Sequence, residues 1–263
     1  MNDKKARIIA IANQKGGVAK STTTLALAAG LARRGGRVLI VDADAQGNTT
    51  TVAGGDGEPD LFDVLTGKAK AAAAVHDTQF GAVDDTIFGA RIIPAGRRLF
   101  VAEAEVENIE LLRDALQSIR ADYDYIIIDT PPALGILTAN ALTAADGVII
   151  PANAELFGLQ GIAQLKKTID AVKLRNPNLA VYGILLTRHK ANTRLMNDMA
   201  DMAGRIAADM GTVVYKAKIR DSVGVKEAQA ARRPLQDYKA AKGATEDYET
   251  FIGEFLAQTG GAK

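Results

Sequence analysis

Arg7-Ile8-Ile9-Ala10-Ile11-Ala12-Asn13-Gln14-Lys15-Gly16-Gly17-Val18-Ala19-Lys20-Ser21-Thr22 is the stretch on which the fold turns. Its first part is apolar and rich in isoleucine, which suits a buried strand over residues 7–12. Ser21 and the threonines after it suit a helix start, and Gly35-Gly36 supplies a stop, so a helix is expected over residues 21–34. A loop between such a strand and helix can turn successive backbone N–H groups inward. The helix start adds positive potential, so the place favours phosphate. Lys20 would neutralise charge on β- and γ-phosphates, and the Ser21 hydroxyl would reach Mg²⁺. The literal pattern G-x-x-x-x-G-K-[ST] is missed at Gln14 and Ala19, and a glycine-rich structural turn is the other reading.

Outward from this loop, short β-rich runs alternate with longer helical periods. Strands are expected at 37–41, ending on Asp42, and at 123–129, 147–151, 181–186 and 212–215. Helices are expected at 60–65, 103–120, 193–209 and 245–257, and another carries Ile162, Leu165, Ile169 and Val172 at helical spacing. The alternation argues for an α/β fold, a mainly parallel twisted sheet with helices on both faces. No repeat, linker or composition break divides residues 1–263, so a single domain is expected.

Composition removes several classes of chemistry. Without cysteine there can be no disulfide, thiolate zinc site, iron–sulfur cluster or cysteine nucleophile. His76 and His189 stand far apart in the sequence, which argues against a protein metal cage. Apolar runs are too short to cross a bilayer and no signal peptide is visible, so a cytoplasmic location is expected. The net charge of +1 hides an asymmetry. Residues 1–159 carry 15 basic and 20 acidic side chains, residues 160–243 carry 16 and 7, and the remainder has a balance of −3. The basic part hints at a polyanionic partner, and a solvated helical surface is the plainer alternative.

Asn13-x-Lys15-Gly16-Gly17-x-x-Lys20-Ser21 resembles the deviant Walker A motif of ParA/MinD-type ATPases, with its extra early lysine. Val41-Asp42-Ala43-Asp44 with Gln46-Gly47-Asn48 resembles that family's first switch. Tyr125–Asp129 followed by Thr130-Pro131-Pro132 resembles its Walker B strand and second switch. Residues 219–228 with Pro234, Tyr238, Gly243 and Tyr248 resemble its closing segment, so the likeness covers almost the whole chain. Three departures stand out: Ala19 for glycine, Ala45 for a frequent proline, and Arg220 for proline in an I-P-R sequence. Alanine at position 19 is compatible with nucleotide binding if its backbone takes right-handed helical angles, which is the expectation.

The resemblance implies a P-loop ATPase using ATP and Mg²⁺. It implies that Lys15, Gly16, Gly17, Val18, Ala19, Lys20, Ser21 and Thr22 contact nucleotide, with Thr187 and Arg188 near the base. Lys15 would reach the partner's phosphates in an ATP-dependent homodimer. Ser21, Asp42 and Asp129 would serve the metal, and Asp44 would position the attacking water. Nonspecific double-stranded DNA would be held by Lys190, Arg194, Lys216, Lys218, Arg220, Lys226, Arg232 and Arg233. A ParB-like centromere-binding partner would stimulate hydrolysis, and the protein would act on the nucleoid in plasmid or chromosome partitioning.

Related branches fit less well. The acidic tail argues against a membrane-targeting helix, and the short stretch before the first strand argues against an N-terminal helix-turn-helix domain. Two alternatives remain open: the same switch positioning a protein cargo, and a small-molecule enzyme of the dethiobiotin-synthetase kind.

Overall fold

The computed structural model describes residues 5–55, 57–79, 89–153, 156–189 and 194–260, without the side chains of 156–160 and 194–197. In chain order the main elements are β1 (Arg7–Ile11), α1 (Lys20–Ala32), β2 (Val38–Asp42), α2 (Asn48–Ala53) and α3 (Leu61–Leu65). Next come β3 (His76–Asp77), β4 (Arg91–Ile93), α4 (Ala102–Glu105), α5 (Leu111–Gln117), β5 (Tyr125–Asp129) and α6 (Ile136–Ala144). The chain continues through β6 (Gly147–Asn153), α7 (Leu156–Val172), β7 (Ala180–His189), α8 (Arg194–Asp209), β8 (Val214–Arg220), α9 (Val223–Ala230) and α10 (Lys242–Thr259).

These strands form one eight-stranded sheet in the order β3-β4-β2-β5-β1-β6-β7-β8, parallel except for the β3–β4 pair. The central strands are apolar on both faces because helices cover both. Ile8, Ala10, Ile126 and Ile128 pack with α3 and α5 to α8, whereas Ile9, Ile11 and Ile127 pack with α1 and α10. The α/β reading is borne out. Burying these two faces supplies the main drive for folding.

The expected helix over 103–120 is broken in two. Val106 turns to extended angles and is buried, and Asn108 accepts a hydrogen bond from Glu110 N at 2.9 Å. Asn140 of α6 fixes the break, its Nδ2 donating to Asn108 O and its Oδ1 accepting from Leu112 N. A tertiary clamp overrides a stretch of good helix formers.

The last strand is longer than expected, because its alternation of Tyr215, Ala217 and Ile219 inward with lysines between them continues to Arg220. β8 is a sheet edge, and α10 covers its exposed N–H groups. Glu254 accepts from Lys216 N and Ala217 N, each at 2.8 Å, and Asp247 accepts from Arg220 N at 3.0 Å. Such capping, together with edge lysines, blocks pairing with a further strand. Tyr248 of α10 is fully buried and shares a hydrogen bond with Thr23 of α1 at 3.1 Å, tying the closing segment to the helix behind the loop.

Candidate functional site

The loop that joins β1 to α1 lies at the carboxyl ends of the parallel strands, where open α/β sheets bind ligands. Asn13 begins it: Nδ2 donates to Pro151 O at 2.7 Å, and Oδ1 accepts from Lys15 N at 3.1 Å. Gly161 lies against this turn, where an added Cβ would stand 2.7 Å from Asn13 Oδ1. From the next strand pair, Thr187 Oγ1 donates to Val18 O at 3.1 Å and Arg188 Nη1 to Gly17 O at 3.3 Å. Thr187 and Arg188, expected near the base, thus reach the loop's backbone.

Ala19 does not take the right-handed angles expected for it. Its φ of 64° and ψ of 34° are left-handed, and Gly17 shares that region with φ of 73°. An L-residue there is strained by about 1–2 kcal/mol, which glycine avoids. Part of the gain is offset because glycine loses more entropy on folding. Ala19→Gly is therefore expected to raise stability by about 0.5–1 kcal/mol, or about 1–4 °C in Tm, without loss of ATP affinity. Thermal melts check this, and an unchanged or lower Tm contradicts the strain.

Three charged groups converge above the loop. Lys20 is buried, and its Nζ donates to Lys15 O at 3.3 Å. Burial lowers its pKa, against the opposing pull of Asp129 and Asp44. Asp129 ends β5 with no exposed surface, accepts from Thr49 Oγ1 at 2.6 Å and is hydrogen-bonded by Ser21. Its Oδ1 has no partner. Asp44 Oδ1 accepts from Gln46 N at 3.0 Å. Burial pushes the carboxyls of Asp42 and Asp129 upward in pKa, and the charge of Asp129 adds to the shift at Asp42.

Gly16, Lys20, Ser21, Thr22, Asp44 and Asn48 line one cavity of about 460 Å³, large enough for a polyphosphate. A smaller recess of about 190 Å³ adjoins it through Ala19, Thr22 and Gln229, with Arg188, Ser222 and Lys226 on its wall. Magnesium fits the donor set, since it takes few protein ligands and keeps water and phosphate oxygens. The Ser21 hydroxyl and the unpartnered Asp129 Oδ1 would hold it, and it would supply neutralising charge at the phosphates. Among the described residues no cluster of three or more His, Cys, Asp or Glu could cage a metal ion.

Asp42, expected at the metal, is engaged elsewhere. One oxygen accepts from Thr50 N and Oγ1 at 2.7 and 2.8 Å, the other from Asp44 N at 3.2 Å. It braces the first-switch segment. Thr49 and Thr50 were not singled out in the sequence; their position beside Gln46-Gly47-Asn48 was the available signal. Gln229 was also missed, and it donates to Thr22 Oγ1 at 2.9 Å across the cavity mouth.

The basic residues expected on a DNA face do not form one set. Lys190 lies outside the described residues, as does the side chain of Arg194. Arg220 is committed to Asp247 through two side-chain hydrogen bonds of 2.7 Å each, so its charge is balanced within the fold. Lys226 lines the recess beside the loop. Lys216 and Lys218 remain on the outer edge of β8, and Arg232 and Arg233 are exposed in the turn after α9.

A family model described as an AAA domain (AAA_31) matches residues 6–181. The chain is 38% identical over 262 residues to the chromosome partitioning protein ParA of Caulobacter vibrioides, spanning 96% of this chain and 94% of that protein. It is 39% identical over 259 residues to the sporulation initiation inhibitor protein Soj of Bacillus subtilis, with 95% and 98% covered. Its structure is similar to that of a cobyrinic acid a,c-diamide synthase from Mycobacterium smegmatis with bound ADP and magnesium. That match has a TM-score of 0.79 at 32% identity and covers 97% of this chain and 96% of the other.

Proposed function

Because this chain belongs to the ParA-type family of AAA-domain ATPases, using ATP and Mg²⁺, we propose that it is a DNA-partitioning switch. The observation that carries this reading is the cavity beside the β1–α1 loop, lined by Lys20, Ser21 and Asp44, with Asp129 acting on the Lys20 charge. ATP binding brings two copies together, with Lys15 of each reaching the other's phosphates. Lys15 is held at the loop by Asn153, whose Oδ1 accepts from its Nζ at 3.3 Å. The ATP dimer holds double-stranded DNA without sequence preference through Lys216, Lys218, Arg232 and Arg233. A ParB-like partner triggers hydrolysis and release, and the protein works in the cytoplasm on the nucleoid. Among the described residues no helix is long and apolar enough to cross a membrane.

The DNA face has a quantitative test. If Lys and Arg neutralise phosphates, log K falls with log salt by about 0.9 per phosphate contacted. Arg232→Glu combined with Arg233→Glu is expected to weaken ATP-dependent binding and to reduce the slope by about 2. Filter binding over a salt series reads both, and an unchanged slope removes this face. The Mycobacterium protein bears the name of a small-molecule synthase. ATP-dependent DNA retention with no added metabolite separates the partitioning reading from a reaction of that kind. A ParB-like neighbouring gene separates a DNA cargo from a protein cargo.

A further inference from the structure

At the opposite end of the sheet, where β1, β5 and β6 begin, lies a second cavity of about 500 Å³. Arg7 opens β1 with its side chain beneath α1 and α10, on the face that carries Ile9 and Ile11. Its Nη1 is fully buried and has no hydrogen-bond partner. Tyr125 and Tyr182 also line the cavity, and the Arg7 charge acts on both hydroxyls. Gly147 admits the Tyr182 ring, which lies across it: a Cβ there would stand 2.4 Å from the ring.

The other charges of the cavity wall are paired. Arg120 is bonded to Asp146 at 2.6 Å, Arg34 to Glu249 at 2.6 Å and Asp124 to Arg37 at 3.1 Å. Arg7 and the exposed Lys5 make no ion pair among the described residues, which leaves the cavity two positive charges. The carboxyl ends of α1 and α10 also lie here and offset part of that charge, yet neither offers Arg7 Nη1 an acceptor. The buried Nη1 without an acceptor is costly, and the planar fork of this half-buried guanidinium fits a phosphate oxygen pair. A phosphate monoester carries close to two negative charges at neutral pH, matching both cations where a carboxylate would match one.

We propose that this cavity is a second anion site, taking a small phosphate monoester whose apolar or planar body lies between Tyr125 and Tyr182. It stands apart from the ATP loop, so the two ligands bind together. Phenyl phosphate is the probe, titrated by calorimetry into the full chain saturated with ADP and Mg²⁺. Saturable binding of one molecule per chain is expected, tighter than benzoate (the ring with one charge) or inorganic phosphate (the dianion without a ring). Arg7→Gln is expected to weaken it about tenfold to a hundredfold, and Lys5→Gln by about two- to fivefold. Lys70→Gln, at an exposed position outside the cavity wall, should leave it unchanged. No saturable binding, equal binding of benzoate, or equal affinity in Arg7→Gln overturns the site. Should Arg7→Gln fail to fold, exposed Lys5→Glu decides, and unchanged affinity in that variant overturns the proposal.

Discussion

Lys20→Ala is expected to weaken ATP binding by about two to three orders of magnitude, to below detection in an equilibrium assay. The ammonium is buried at the first turn of α1 and lines the phosphate cavity. Burial lowers its pKa, whereas Asp129 and Asp44 favour its charge, so phosphate oxygens would meet a cation already desolvated. Little reorganisation is left for binding to pay. The substitution also strips Asp129, which has no exposed surface, of a neighbouring cation, so the free protein's melting point must be measured alongside. A folded Lys20→Ala chain that binds ATP normally would show that the loop does not hold phosphate.

Asp44→Ala is expected to separate binding from turnover. ATP affinity should stay equal or improve, because a carboxylate facing the phosphates is removed, while hydrolysis falls by about 10²–10⁴-fold. Asp44 is largely buried, lines the phosphate cavity and is oriented by two bonds. Its own N–H donates to Asp42 Oδ1 at 3.2 Å, and its Oδ1 accepts from Gln46 N at 3.0 Å. Asp44→Asn distinguishes chemistry from scaffolding, since it keeps an acceptor for Gln46 N. Loss of hydrolysis in both variants assigns the effect to the carboxylate. Near-normal hydrolysis in Asp44→Asn would reduce Asp44 to a loop-shaping residue.

Much of this site is legible in the sequence because its signals are local. The isoleucines of β1 and the glycine at 17 favour the conformation they adopt. Asp42 and Asp129 are legible as carboxylates ending apolar strands, although their different partners are not. Thr50 and Thr49 divide that work through contacts 8 and 80 residues away in the chain, which no periodicity encodes. Ala19 reads as a helix former, and only the path of the loop forces it left-handed. The basic end of β8 lies beyond the strand expected at 212–215 because lysines alternate there with its apolar residues, as edge strands carry them for protection. Asp247 lies 27 residues beyond Arg220, so the pairing that withdraws this arginine from the proposed DNA face appears only in the fold.

The proposed switch requires that ATP, and not ADP, make this chain a DNA-retained dimer. The most direct measurement is size-resolved DNA binding of Asp44→Ala with ATP, with ADP and without nucleotide, at one low salt concentration. The expected result is a dimer that stays on DNA of unrelated sequences with ATP, and a monomer that elutes free in the other two conditions. A chain that remains monomeric with bound ATP, or is retained equally in all three conditions, contradicts it.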